Sequence, residues 1–158
     1  MPSVEEIKKV VESYVDLVAN GKPEQVADLY AEGATVEDPI GADVRSTRES
    51  IVEFYGVIAA MDKTTAELHW SKIAGDTAVF EFTLITEAGG SAFKITPVDI
   101  MVFDDNCKIT VELKLDGTKD EELYRLVLLA QCNALHQAMP FLFEQIGDET
   151  ELLLPANL

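Results

Sequence analysis

The chain has 158 residues, 47% of them hydrophobic, which is enough for one domain with a full core. Lys and Arg number 12 against 29 Asp and Glu, a formal charge of -17 that repels phosphate backbones and anionic lipid surfaces, so no nucleic acid and no membrane partner is expected. Cys107 and Cys132 sit in apolar stretches at no metal-ligand or redox spacing; no leader-like start and no apolar run near the roughly 20 residues of a membrane span is seen, and the expected location is cytoplasmic.

Ser3 and Glu6 have capping-box spacing, and Val4, Ile7, Val11, Tyr14 and Val18 then recur on one helical face to about Ala19. Asn20-Gly21 closes that helix. Pro23 opens a second, short one with Val26, Leu29 and Tyr30 inward, ended by Gly33. In the loop Thr35–Gly41, Pro39 biases Asp38 away from helical geometry and Gly41 supplies a turn, so Glu37 and Asp38 are presented on a kinked, partly apolar segment. A second capping box, Ser46 to Glu49, starts a third helix whose stripe is Ile51, Phe54, Tyr55 and Ile58.

After Met61 the period falls to 2 and four strands are expected. Ala66, Leu68 and Trp70 share one face of the first; Ala78, Phe80, Phe82 and Leu84 share one face of the second, with a hairpin at Gly89-Gly90. The third is apolar on both faces, with Ile95, Pro97, Asp99, Met101 and Phe103 on one of them. A turn at Asp104-Asp105-Asn106 leads to the fourth, where Cys107, Ile109, Val111, Leu113 and Leu115 alternate with Lys108, Thr110, Glu112, Lys114 and Asp116. This layout is α+β: a curved antiparallel sheet wrapped around three N-terminal helices, its open end a pocket. A late helix from Asp120 to Met139 is apolar on more than one face, which suggests a homodimer or a cover over the pocket mouth. The domain reading is a cone over 1-117 and a C-terminal extension over 118-158.

Three sets of residues bear on chemistry. Asp38 is either a turn former or a proton acceptor facing the cavity. Asp99, between Val98 and Ile100, is either at a wet edge or buried and protonated, in which case it is a strong hydrogen-bond donor. Tyr14, Tyr30 and Tyr55 are either core phenols satisfied locally or a hydroxyl chain pointing at one ligand oxygen. His69 and His136 have no ligand-spaced partner, and no phosphate loop, nucleophile elbow or zinc spacing occurs, so no metal is expected.

Tyr14 on the first helix, Asp38 in Glu-Asp-Pro-Ile-Gly, Tyr55 in Glu-Phe-Tyr and Asp99 in Pro-Val-Asp together resemble the bacterial Δ5-3-ketosteroid isomerases of the nuclear-transport-factor-2-like cone fold, over about the first 116 residues. The resemblance implies a cofactor-free isomerase that moves a double bond into conjugation with a ketone. In it, Asp38 is the general base, and Tyr14 with a protonated Asp99 forms the oxyanion hole. Tyr30 and Tyr55 brace Tyr14; Phe54, Phe82 and Met101 support the substrate, a steroid or similar fused-ring enone. On the fourth strand, where the family turns apolar and aromatic residues toward the steroid, this chain carries Glu112, Lys114 and Asp116. The alternatives to an isomerase are a non-catalytic binding cone for an apolar ligand, or a cone-fold cyclase or dehydratase acting on another carbonyl compound.

Overall fold

The computed structural model describes residues 1–20 and 22–115. The late helix, Asp116, Cys132 and His136 lie outside the described residues, as does the extension 118-158. No helix among the described residues is long and apolar enough to cross a membrane.

The first helix, α1 (Val4–Ala19), begins at the expected capping box: the Ser3 hydroxyl accepts from the Glu6 amide while the Glu6 carboxylate reaches back to the Ser3 amide. Ile7, Val11, Tyr14, Val15 and Val18 form its buried stripe. Helix α2 is only Pro23–Ala27, and the expectation of a helix reaching Gly33 fails. Tyr30 instead begins strand β1 (Tyr30–Glu37), which runs parallel to the last described strand, β6 (Ile109–Leu115). Two consequences follow. Tyr30 is presented from a strand rather than a helix, and the sheet is mixed rather than wholly antiparallel. No local pattern could reveal this, because the hydrogen bonds that hold β1 come from the far end of the described chain.

Helix α3 (Arg48–Ala59) starts one residue later than its sequence cue suggests: Thr47 is the cap, with Ser50 completing the box in place of the Ser46–Glu49 pair. The meander follows as β2 (Lys63–Ala74), β3 (Thr77–Ala88), β4 (Ser91–Ile95), β5 (Val98–Phe103) and β6. The expected third strand is thus two, β4 and β5, both paired to β3. The break falls at Thr96-Pro97, since Pro97 has no N–H to offer a ladder, and Ile95 comes out exposed while Asp99, Met101 and Phe103, expected on its face, are buried. The sheet order is β1-β6-β5-β3-β2.

Two bulges re-aim side chains against simple alternation. On β2, Leu68 pairs with Phe82 but Trp70 pairs with Glu81, so His69 is an extra residue and Trp70 leaves the face of Leu68 for solvent. On β6, Ile109 pairs with Phe103 and Val111 with Val102, which leaves Thr110 as the extra residue, its hydroxyl donating to the Val102 carbonyl at 3.1 Å. Beyond Thr110 the parity is reversed: Val111 and Leu113 are half-buried, and Glu112 and Lys114 turn into the core beside Ile109. Cys107, expected on this strand, lies in the preceding turn with φ +58° and is a half-buried free thiol.

The core packs α1 and α3 against Ala78, Phe80, Phe82 and Leu84 of β3 and Met101 and Phe103 of β5. All four β3 residues face inward as their alternation predicts.

Candidate active site

Asp38 owes its position to the alternation of β1. Ala34 and Val36 point into the core, and Asp38 continues that face one step beyond the strand, with its side chain 13% exposed. Two backbone contacts hold the turn in place. The Ile40 amide donates to the Lys114 carbonyl at 2.9 Å, and Val36 exchanges both amide bonds with Arg45. Glu37, on the opposite face, accepts the Gly41 amide at 2.6 Å and shapes the turn instead of entering the site. The neighbouring carboxylates therefore have separate duties, and Asp38 is the inward one.

Asp99 is fully buried on the inward face of β5, with Met101 and Phe103 beyond it. Of its two readings, the wet edge is excluded. Its register partners are Phe80 on β3 and Lys114 on β6. Neither carboxyl oxygen has a hydrogen-bond partner among the described residues. The Lys114 Nζ lies 3.5 Å from Oδ2, which is electrostatic proximity rather than a well-formed hydrogen bond. Burial pushes the Asp99 carboxyl well above the usual carboxylate range; Lys114 opposes this, and Glu112 and Asp38 reinforce it.

Lys114 is the centre of the cluster. Its ammonium, nearly sealed from solvent, is 2.8 Å from Asp38 Oδ2, 3.5 Å from Asp99 Oδ2 and 3.7 Å from Glu112 Oε1, and it donates to the Tyr14 hydroxyl at 3.3 Å. Burial by itself pulls a lysine down, but Asp99, Glu112, Tyr55 and Asp38 outweigh it, and Lys114 is held well above its ordinary value, hence charged. An uncompensated charge in such a place costs several kcal/mol, by order of magnitude. One ammonium among three carboxyl groups is best balanced when Asp99 keeps its proton.

Glu112 gathers the tyrosines. Tyr14 donates to its Oε1 at 3.0 Å, Tyr30 donates to its Oε2, and Tyr55 lies within 3.3 Å of both oxygens. The Tyr55 hydroxyl also bridges those of Tyr14, at 3.0 Å, and Tyr30, at 2.9 Å. Desolvation, followed by the Glu112 charge, raises all three phenols well above their ordinary value, so they stay protonated. The hydroxyl chain expected from the sequence does form, and a glutamate receives it.

The other expected residues take flanking positions. Phe82 stacks on Phe80 at 5.9 Å, meets the Tyr14 ring edge-on, and lies with its centroid 5.5 Å from the Lys114 Nζ. Met101 is buried opposite Glu112 in the strand register. Phe54 is half-buried, edge-on to Tyr55, and covered by the Arg45 guanidinium at 4.1 Å. Glu112 and Lys114 are additions to the sequence-derived set. The signal for them was present as ionic residues where apolar ones were expected, but their inward direction depended on the Thr110 bulge, which no residue type announces.

A second polar cluster lies elsewhere on the sheet. His69 Nδ1 is 3.1 Å from Glu81 Oε1, its Nε2 is 3.0 Å from the Thr83 hydroxyl, and Thr83 lies 3.4 Å from Thr96.

Comparison with known proteins fits this geometry. Residues 11–112 match the SnoaL-like domain family. The chain is 43% identical over 105 residues to a steroid Delta-isomerase of Nocardioides simplex, a match covering 66% of this chain and 85% of the relative. A separate similarity, 69% identity over 48 residues, is to an adenine-specific methyltransferase BrxX of Escherichia coli O9:H4 (strain HS); it takes in 30% of this chain and 4% of that protein. Among solved structures, the epoxide hydrolase/cyclase-like enzyme SalBIII, described in pyran ring formation in the polyether salinomycin, superposes with a TM-score of 0.69 at 23% identity. That alignment covers 76% of this chain and 97% of SalBIII, and supports the cone fold.

Proposed function

We propose, from the premise that this chain belongs to the SnoaL-like domain family, that it is a cofactor-free isomerase which moves a carbon–carbon double bond into conjugation with a ketone. Asp38 takes a proton from the carbon between the carbonyl and the alkene, the C–H electron pair spreads through a dienolate onto the oxygen, and Asp38 returns the proton to the far carbon. Atoms and charge balance within one substrate. The observation that carries this reading is the split between two inward carboxyl groups on one ammonium, Asp38 paired with Lys114 and Asp99 held neutral with both oxygens unpartnered. The steroid isomerase relative supports the same chemistry.

The acid for the carbonyl oxygen is Asp99, whose oxygens have no partner among the described residues, while the Tyr14 hydroxyl of the resemblance donates to Glu112. The substrate is a small ketone, and the second reading, another carbonyl compound than a fused-ring enone, is favoured by Glu112 and Lys114 in the wall, because an apolar ring system set against them would strip their solvation without replacing it. We also propose a homodimer, supported by the exposure of Trp70, Phe93 and Ile95 on strands flanking β3. A monomer by light scattering at working concentration would overturn it.

The test of the isomerase reading is ultraviolet absorbance of the conjugated product, with a Δ5-3-ketosteroid and a monocyclic β,γ-unsaturated ketone run in parallel. Turnover of the ketosteroid supports the fused-ring assignment, and turnover of the smaller ketone alone supports the polar-wall reading. Folded protein that converts neither sinks the isomerase.

A further inference from the structure

The three tyrosines and Glu112 raise a question of donors. Tyr14 has a single O–H, and it is spent on Glu112 Oε1, while the oxygen accepts from Lys114. Tyr30 is likewise spent on Glu112, and Tyr55 lies between the other two hydroxyls and the same carboxylate. The phenols thus face an acceptor supplied by the protein itself. The groups with protons still to give are Asp99, whose oxygens have no partner among the described residues, and Lys114, whose ammonium carries three protons and lies 3.5 Å from Asp99.

We propose that Lys114 is a catalytic residue whose ammonium, beside the Asp99 carboxyl, takes the negative charge that develops on the substrate carbonyl oxygen, with Tyr14 a positioning residue behind it. This rests on the isomerase reading above. Its physical basis is charge conservation in a buried site. In the resting site Lys114 is paired with the Asp38 carboxylate. When Asp38 takes the proton from carbon it becomes neutral, and the negative charge moves to the dienolate oxygen. Lys114 then exchanges one anionic partner for another, and at no stage is a buried charge left alone. Return of the proton to the far carbon restores the Lys114–Asp38 pair. Glu112, anchored by the hydroxyls of Tyr14, Tyr30 and Tyr55, holds the ammonium from behind at 3.7 Å.

The substrate class follows from this donor set. A localised enolate oxygen suits an ammonium, whereas a wide apolar ring system does not suit the wall that carries it, so the fit is to a compact β,γ-unsaturated ketone.

The experiment uses 4-nitrophenol, whose phenolate mimics the dienolate oxygen and absorbs separately from the neutral phenol. Asp38→Asn serves as the background, since an uncharged amide stands in for the protonated Asp38 of the intermediate. Adding Lys114→Met is expected to weaken binding by about tenfold or more and to shift the bound probe toward the neutral phenol, whereas adding Tyr14→Phe should change affinity by less than about threefold. With Asp38 intact, Lys114→Met should lower kcat about a hundredfold with little change in KM. The pair Glu112→Gln with Lys114→Met removes both charges together, and should show the same loss of phenolate if Lys114→Met alone fails to fold. A tenfold loss on Tyr14→Phe with none on removal of Lys114 would overturn the proposal. The phenolate titration needs no turnover, so protein that binds the probe through Lys114 yet isomerises no enone sinks the isomerase reading alone and upholds Lys114 as the anion-binding group.

Discussion

One sheet carries two clusters of ionisable side chains, and a bulge lies at the root of each. His69 is the extra residue on β2 and joins Glu81, Thr83 and Thr96; Thr110 is the extra residue on β6 and turns Glu112 and Lys114 toward Asp38 and Asp99. The His69 and Glu81 side chains keep 34% and 24% of their exposure, so water screens the pair. Asp99 and Glu112 keep none and Lys114 only 6%, so each charge there must be met by another. The difference teaches that burial, more than local composition, decides whether neighbouring ionisable groups must compensate one another. Both clusters bring a carboxyl and a nitrogen group close together, but only in the inner one does burial push a carboxyl, Asp99, toward its neutral form beside the Lys114–Asp38 pair.

The sharpest break in this comparison is Asp38→Asn, expected to cut isomerase turnover by about 10²- to 10⁴-fold, the ordinary worth of a positioned general base, as measured by product absorbance. Next in size is stability. Lys114→Met leaves the buried Glu112 and the Asp38 carboxylate without their cation, and is expected to cost about 3–5 kcal/mol in urea unfolding. Glu112→Gln with Lys114→Met should recover much of that loss.

A third prediction concerns pH. The folded-state pKa of Asp99 is raised, so the proton it retains stabilises the fold fully below the unfolded carboxylate value, and this contribution is lost as pH rises toward the folded one. Lys114 is also raised, but from the high lysine value, so its contribution is complete at neutral pH and is lost only in strong alkali. Within the Asp99 window, which lies below that of Lys114, the slope belongs to Asp99. Asp99→Asn should therefore gain on the wild type by about 1.4 kcal/mol per pH unit across the Asp99 window, read from denaturant melts at stepped pH. A constant difference between the two proteins would contradict a buried neutral Asp99. The smallest effect falls on the outer cluster, where His69→Ala should cost about 1 kcal/mol or less and leave turnover unchanged.

Much of this is legible in the sequence. Helical spacing placed Tyr14 and Tyr55 inward, period-2 alternation placed Phe80, Phe82 and Met101, and a carboxylate on a strand with two apolar faces marked Asp99. Whatever depends on residues far apart in sequence was not legible. Tyr30 read as helical because its strand is held by β6. Trp70 is expected on the face of Leu68, and the direction of Glu112 is left open, because His69 and Thr110 are not glycine or proline, and nothing in their identity signals an inserted residue. The split of the third strand at Pro97 could have been foreseen from the missing N–H.

The Thr110 bulge behaves as a frame marker for β6. Were Thr110 instead to enter the ladder opposite Val102, strict alternation would send Val111 and Leu113 inward and turn Glu112 and Lys114 to the other face, exchanging ionic side chains for apolar ones without altering a single functional residue. The chemistry of this wall is thus encoded by a count of paired backbone units as much as by the choice of amino acids, and a residue gained that joins the ladder, where Thr110 bulges out of it, would turn the whole face over.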